Sequence, residues 1–280
     1  ILVDIETALN DPEIDGVIIA SSTDTHANLI ELAAKAGKQI FCEKPVDQTV
    51  DRVKSCIEAI KASKVQCSIG FNRRFDPMFS ELKQAIVAGQ IGDVEIINIT
   101  SRDPSPPPIE YIHVSGGLFK DMMIHDFDMA RWLLGEEPVE VFAMASCQVD
   151  PAIGEAGDVD TAVVTLKTAS GKLCHISNSR RAVYGYDQRI EAFGSKGMLQ
   201  VNNVLESGLV LTGTQGTNVA KPQNFFLERY ADAYRLELNN YIEIIRGESK
   251  PVANEYDGLQ ALILAEAAIE SLKTGKSVTV

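Results

Sequence analysis

"GVIIASSTDTHANLIELAAKAGKQIFCEKP", residues 16–45, decides the fold. Its opening run, GVIIAS (16–21), is short, apolar and rich in β-branched residues, the pattern of a strand buried on both faces. THANLIELAAKAG (25–37) reads as an amphipathic helix closed by Gly37, and QIFCEK (39–44) as the next strand. Beyond the quoted stretch, TVDRVKSCIEAIKAS (49–63) puts Val53, Ile57 and Ile60 at helical spacing, and VQCSIGF (65–71) reads as a third strand. Upstream, IETALND is helical in pattern. Strand, helix, strand, helix, strand with short connections predicts a parallel sheet with right-handed crossovers. The crevice of such a sheet lies at the carboxyl ends of its strands. Those ends are ASSTDTH (20–26), CEKP (42–45) and GFNRRFD (70–76), all polar directly after apolar runs.

After Phe71 the pattern changes. DPMFSELKQAIVAG is a helix with Pro77 in its first turn and Gly89 past its end. DVEIINITSR is a strand, and DPSPPP (103–108) is a stiff loop that cannot be regular structure. GGLFKDMMIHDFDMARWLLGEEP (116–138) reads as a single helix stopped at Gly135. From Val139 to about Leu211, strand signals recur every 10 to 15 residues with tight turns between them, which predicts an antiparallel sheet. Two helices, near 225–246 and 257–273, close the chain.

The bulk numbers narrow the class. The chain has 280 residues, enough for two domains, and a formal charge of −13, which argues against nucleic acid or an anionic membrane as partner. It has no apolar run near the roughly 20 residues needed to span a bilayer. Cys42, Cys56, Cys67, Cys147 and Cys174 are scattered and odd in number, as in a reduced cytoplasmic protein.

Several residues carry chemistry. Lys44 sits at a strand's carboxyl end, where it can donate to an alcohol oxygen or stand as a solvated loop lysine. Asp121 and His125, four apart on one predicted helix, would stack on the same face, with Asp128 and Trp132 extending the stripe beside a core face of Met123, Ile124, Phe127, Ala130 and Leu134. That pair suits proton abstraction near neutral pH, or is a surface ion pair; no third ligand is spaced for a metal. Arg73 and Arg74 offer two guanidinium groups, at least one of them for bridging between domains. STDTH (22–26) supplies hydroxyls and backbone amides suited to ribose or phosphate, or is an ordinary Ser/Thr loop. His113 and His175 are isolated, and Tyr184 and Tyr186 either reach a ligand or pack.

In combination SSTDTHANLI, FCEKPVDQTV, GFNRRFDPMF, SGGLFKDMMIHDFDMARWLLGE and YGYDQRIEAFGSKGMLQ closely resemble the glucose–fructose oxidoreductase and inositol dehydrogenase family, from end to end and in the same order. The resemblance implies an α/β plus α+β protein: a truncated Rossmann-type domain over 1–71, then an antiparallel-sheet substrate-binding and oligomerisation domain over 72–280. It implies a dehydrogenase using NAD, or alternatively NADP, on a secondary alcohol of a cyclic polyol or sugar, myo-inositol before others. Lys44, Asp121 and His125 become catalytic; Ser21, Ser22, Thr23, His26, Glu43, Lys44 and Pro45 contact cofactor; Arg73, Asp103 and Tyr186 contact substrate. A homodimer or homotetramer through the sheet is expected, because Val141, Ala143 and Ala145 alternate with Phe142, Met144 and Ser146 and neither face is polar. The family's G-x-G-x-x-G turn is not found, so about the first 60 residues of the nucleotide domain are expected to be absent. The competing reading is a non-catalytic scaffold or binding protein that has lost its cofactor.

Overall fold

The computed structural model describes residues 4–280, and the first three positions of the predicted first domain lie outside it. The N-terminal elements are α1 (Ile5–Asn10), β1 (Gly16–Ile19), α2 (Thr23–Lys35), β2 (Gln39–Cys42), α3 (Val50–Ser63) and β3 (Cys67–Ile69). A 3-10 turn (Asn72–Phe75) leads into α4 (Pro77–Val87), β4 (Val94–Arg102), α5 (Ile109–Ser115), α6 (Gly117–Asp121) and α7 (Ile124–Leu134). There follow β5 (Pro138–Ser146), α8 (Pro151–Glu155), β6 (Thr161–Thr168), β7 (Leu173–Ser179), β8 (Asp187–Gly194) and β9 (Gly197–Val201). A hairpin, β10 (Val210–Gly213) and β11 (Gly216–Val219), precedes α9 (Phe226–Arg229), α10 (Ala231–Ile245), α11 (Glu255–Thr274) and β12 (Val278–Thr279).

β1, β2 and β3 form a parallel sheet in that order, as the alternation of patterns predicts. β1 departs from expectation. Among the described residues it pairs only with β2, where it is the edge strand, and Ile18 is 56% exposed, so it is not buried on both faces. Apolar periodicity reports what a strand could bury; its place in the sheet decides what it does bury.

The larger sheet runs β12-β5-β6-β7-β4-β8-β9. It is mixed, not wholly antiparallel, because β4 lies parallel to β7 and antiparallel to β8. β5, β6 and β7 make an up-and-down run. β4 enters from earlier in the chain and inserts between β7 and β8, and tight-turn signals cannot show such an insertion. One face of this sheet is core: Ile97, Ile99, Val141, Ala143, Val164, Leu166, Cys174, Ile176, Ile190 and Ala192 are buried with α7 and α11 laid over them. On the other face Phe142, Met144, Val163, Leu173, Phe193 and Met198 are exposed.

The C-terminal helices return to the small sheet. The Tyr241 hydroxyl on α10 donates to the carbonyls of Val17 and Gln39 at 2.8 and 2.9 Å, and Ser68 bridges to Asn254 just before α11. α11 starts with a capping box in which Asn254 and Asp257 each bond the other's backbone amide. Both sheets therefore share one continuous core, and the carboxyl ends of β1, β2 and β3 face the opening helices of the second sheet.

Candidate active site

GGLFKDMMIHDFDMARWLL does not form one helix. Its chain is helical over Gly117–Asp121, breaks at Met122 and Met123, and resumes at Ile124. Asp121 thus closes α6 while His125 opens α7, and no hydrogen bond joins them. Ahead of α6, two consecutive left-handed glycines, Gly116 and Gly117, part it from α5. A Cβ on Gly117 would lie 2.6 Å from Asp158 Oδ1, so only glycine lets the Asp158 carboxylate reach the Leu118 amide, which it accepts at 3.0 and 3.1 Å. Asp128 and Trp132 do not extend a cleft-lining stripe. Asp128 is buried and paired with Arg74, because α7 is enclosed on nearly every side.

A cavity of about 1250 Å³ opens between the strand ends and α5–α7. Ser21, Ser22, Thr23, His26, Glu43, Lys44, Arg73, Asp103, Asp121, His125 and Tyr186 all line it, although they come from distant parts of the chain. Lys44 Nζ donates to the Asp121 carbonyl at 2.7 Å and to its Oδ1 at 3.2 Å. The Tyr111 hydroxyl donates to the same Oδ1 at 2.9 Å, and Arg180 Nη2 stands 3.5 Å from Oδ2. Burial pushes the Asp121 carboxyl up, but the charges of Lys44 and Arg180 with the Tyr111 hydrogen bond outweigh it and hold the group below the ordinary carboxylate value.

His125 packs edge-on against Phe71, ring centres 6.1 Å apart, with part of its ring open to the cavity and Nδ1 buried without a partner. Burial first, then the charges of Lys44 and Arg73, push its imidazole well below the usual value. It is therefore neutral at pH 7 and can accept a proton. Burial, partly offset by Arg180 and Arg73, pushes the Asp103 carboxyl up to about 6.

The remaining candidates divide. Pro45 is buried behind the wall, and its carbonyl lies 2.8 Å from His26 Nδ1 while Nε2 lies 3.0 Å from the Ser21 carbonyl. His26 thereby ties the loop after β1 to the loop after β2. Arg73 donates to Asp126 and to Ser101, and Arg74 grips Asp128 and Asp257, so both guanidinium groups bridge elements. Tyr186 stacks edge-on upon Tyr230 at 6.0 Å. Pattern reading missed Asn72, Tyr111, Arg180, Tyr230 and Tyr234, which also line the cavity. None lies in a periodic motif; Asn72 sits in the strand end GFNRRFD, where the signal pointed to the arginines, and the tyrosines of YGYDQR drew attention rather than Arg180 just before them.

The wall suits the nicotinamide end of a dinucleotide. Ser22 caps the 13-residue α2 without a side-chain bond to a helix amide, so first-turn amides are open to ribose or phosphate oxygens, while the Ser22 hydroxyl meets Asp24 and the Ser21 hydroxyl meets Thr25. Next to it lie a lysine, a neutral imidazole and an ionised carboxylate, the set an alcohol oxidation needs for proton transfer. A parallel nucleotide-type sheet, a second sheet behind it and a proton-transfer set between them define an alcohol-oxidising, nicotinamide-dependent oxidoreductase.

Comparison with known proteins agrees. Residues 2–71 match the oxidoreductase family NAD-binding Rossmann fold, and residues 79–200 match the GFO/IDH/MocA C-terminal domain. The chain belongs to the GFO/IDH/MocA oxidoreductase family. The Rossmann match running from residue 2 to residue 71 gives no support to the expected absence of a glycine-rich part. The chain is 52% identical over 270 residues to myo-inositol 2-dehydrogenase of Thermotoga maritima, and 50% identical over 268 residues to inositol 2-dehydrogenase of Rhizobium meliloti. Each alignment covers 96% of this chain and 81% of the relative. Among solved structures, a myo-inositol dehydrogenase from Corynebacterium glutamicum superposes with a TM-score of 0.94 at 41% identity, covering 100% of this chain and 84% of that one. Scyllo-inositol dehydrogenase from Lactobacillus casei, solved with NAD(H) and scyllo-inositol, superposes at 0.90 with 29% identity, covering 99% and 83%. This likeness supports an NAD-dependent enzyme acting on CH–OH groups and leaves the scaffold reading without support.

Proposed function

We propose that the protein is an inositol 2-dehydrogenase, oxidising the axial secondary alcohol of myo-inositol to a ketone. The observation that carries this reading is the convergence of Lys44, Asp121 and His125 on one cavity, in a chain 52% identical to a myo-inositol 2-dehydrogenase. NAD, when bound, accepts the hydride. His125, kept neutral by burial, takes the hydroxyl proton. Lys44 holds the alcohol oxygen, and Asp121 holds Lys44 at its Oδ1 and carbonyl. Ser21, Ser22, Thr23 and Glu43 would line the cofactor side, while His26 and Pro45 shape that wall from behind. Arg73, Asp103 and Tyr186 face the polyol; Asp103 supplies an acceptor for ring hydroxyls, and Arg73 has part of its donor capacity committed to Asp126 and Ser101.

The nucleotide domain is assigned to residues 1–71 and the substrate domain to 72–280, with α10 and α11 folding back onto the first sheet. The exposed apolar face around Phe142, Met144, Phe193 and Met198 supports a dimer or tetramer through the large sheet. Five free cysteines support a cytoplasmic site of action, and no described helix is long and apolar enough to cross a membrane. Steady-state oxidation of a panel of inositols and sugars with NAD and with NADP tests the assignment. Preference for myo-inositol with NAD is expected; turnover of an acyclic alcohol in preference to every cyclic polyol would overturn it.

A further inference from the structure

Arg180 is the buried arginine of this chain that does not fit a structural role. Its side chain is 2% exposed, yet Nε and Nη2 have no hydrogen-bond partner among the described residues. Arg74, equally enclosed, meets Asp128 through Nε at 2.9 Å and Nη2 at 2.6 Å. The nearest oxygens to Arg180 Nη2 are Asp121 Oδ2 at 3.5 Å and Asp158 Oδ2 at 4.0 Å. A guanidinium taken out of water and left unfilled costs stability, so its retention calls for another use.

Its neighbours indicate that use. Asp158 caps the start of α6 and Asp121 closes its end, so the guanidinium touches both ends of the short helix that carries the carboxylate. Arg180 is held there from the backbone, its amide donating to the Asp160 carbonyl at 2.9 Å. Asp121 Oδ1 already receives Lys44 and Tyr111, and Oδ2 is left to Arg180. When Lys44 turns an N–H to an alcohol oxygen, its charge is shared between Asp121 and substrate, and Arg180 is the cation that stays with Asp121 alone. We propose that Arg180 is a positioning residue of the active site, fixing the angle and the ionised state of Asp121 while Lys44 engages the substrate. The other charged groups of this wall are Asp103, whose ionisation Asp121 and Asp126 oppose, and Arg73 and Lys44, which face His125.

This inference rests on the dehydrogenase reading and is tested apart from it. The full chain and its Arg180→Gln and Arg180→Lys variants are assayed for NAD-linked oxidation of myo-inositol across the acid and neutral range. Circular dichroism melts report whether each variant folds. Arg180→Gln should lower kcat/KM by about 10²-fold. Its acid limb should move up by at least about one pH unit, because a carboxylate that loses a neighbouring guanidinium titrates higher. Arg180→Lys, which keeps the charge and loses the fork, should leave the limb in place and recover part of the rate. An unmoved limb in Arg180→Gln overturns the inference, as does an equal shift in both variants. If Arg180→Gln does not fold, Arg180→Lys decides alone: a parental limb supports the role and a moved one overturns it. A parent that oxidises no cyclic polyol fails the underlying reading instead.

Discussion

Replacing Arg74 by Met should unfasten the helix that carries His125. Arg74 comes from the turn after β3 and donates through four contacts: Nε and Nη2 to Asp128 at 2.9 and 2.6 Å, Nη2 to Asp257 at 2.8 Å and Nη1 to the Val252 carbonyl at 2.7 Å. It thus joins the strand-end turn, α7 and α11. Met fills the aliphatic stem, so little packing is lost, but Asp128 is left 1% exposed with only Arg131 at 3.7 Å. Removing one partner of a buried pair costs about 3–5 kcal/mol. Arg131 remains 3.2 Å from Asp257 and offsets part of this, while the orphaned Val252 carbonyl adds about 1 kcal/mol. The expected loss is about 4 kcal/mol, or roughly 10 °C in Tm for a chain of this size. Urea denaturation at pH 7, followed by circular dichroism, reads it directly. Arg74→Lys should recover little, because an ammonium cannot reproduce the fork on Asp128. A loss below about 1 kcal/mol in Arg74→Met would refute the reasoning.

Other expectations are as direct. His125→Ala should reduce kcat by about 10²–10⁴-fold with the fold intact, since its Nδ1 has no protein partner to lose; stopped-flow or steady-state rates that match the parent would remove it from proton transfer. Asp103 titrates at about 6 inside the cavity, so KM for the polyol should change through that pH and lose this dependence in Asp103→Asn; a KM profile identical in both proteins would exclude contact with substrate. Glu237 on α10, 3% exposed, is pushed up to about 9 by burial and by Glu43. Its folded value lies above the unfolded one, so it costs stability as pH rises from about 4.5 towards 9, and Glu237→Gln should gain on the order of 3 kcal/mol at pH 7. Stability curves of parent and variant that run parallel over this range would contradict that. On the exposed sheet face, Met144→Lys with Phe193→Lys should lower the sedimentation mass of the complete protein, and an unchanged mass would place any interface elsewhere.

How far the sequence reached can be seen residue by residue. The β1–β2–β3 parallel unit was legible because each strand is a short apolar run and each crossover helix has a clear 3.6-residue stripe, so local pattern and topology agree. The polar strand ends marked the cavity for the same reason: a parallel sheet puts them all on one edge. What pattern could not supply was anything set by contacts between distant segments. Asp121 and His125 sit four apart and would share a face on an unbroken helix, but the helix breaks at Met122 and Met123 between them, and Asp121 turns to Lys44 and Tyr111. The parallel pairing of β4 with β7 leaves no trace in either strand, since both read as alternating apolar runs whichever neighbour they take. Arg180 shows no periodicity and follows a strand like many surface arginines. Its meaning comes only from three carboxyls, Asp103, Asp121 and Asp158, brought around it from other elements. Charge and periodicity are local properties of a chain, and they determined the elements and the edge where the chemistry lies. The partners of a buried charge are chosen by packing, because in a low-dielectric interior an unpaired ion is far more costly than in water, and only the tertiary structure decided them.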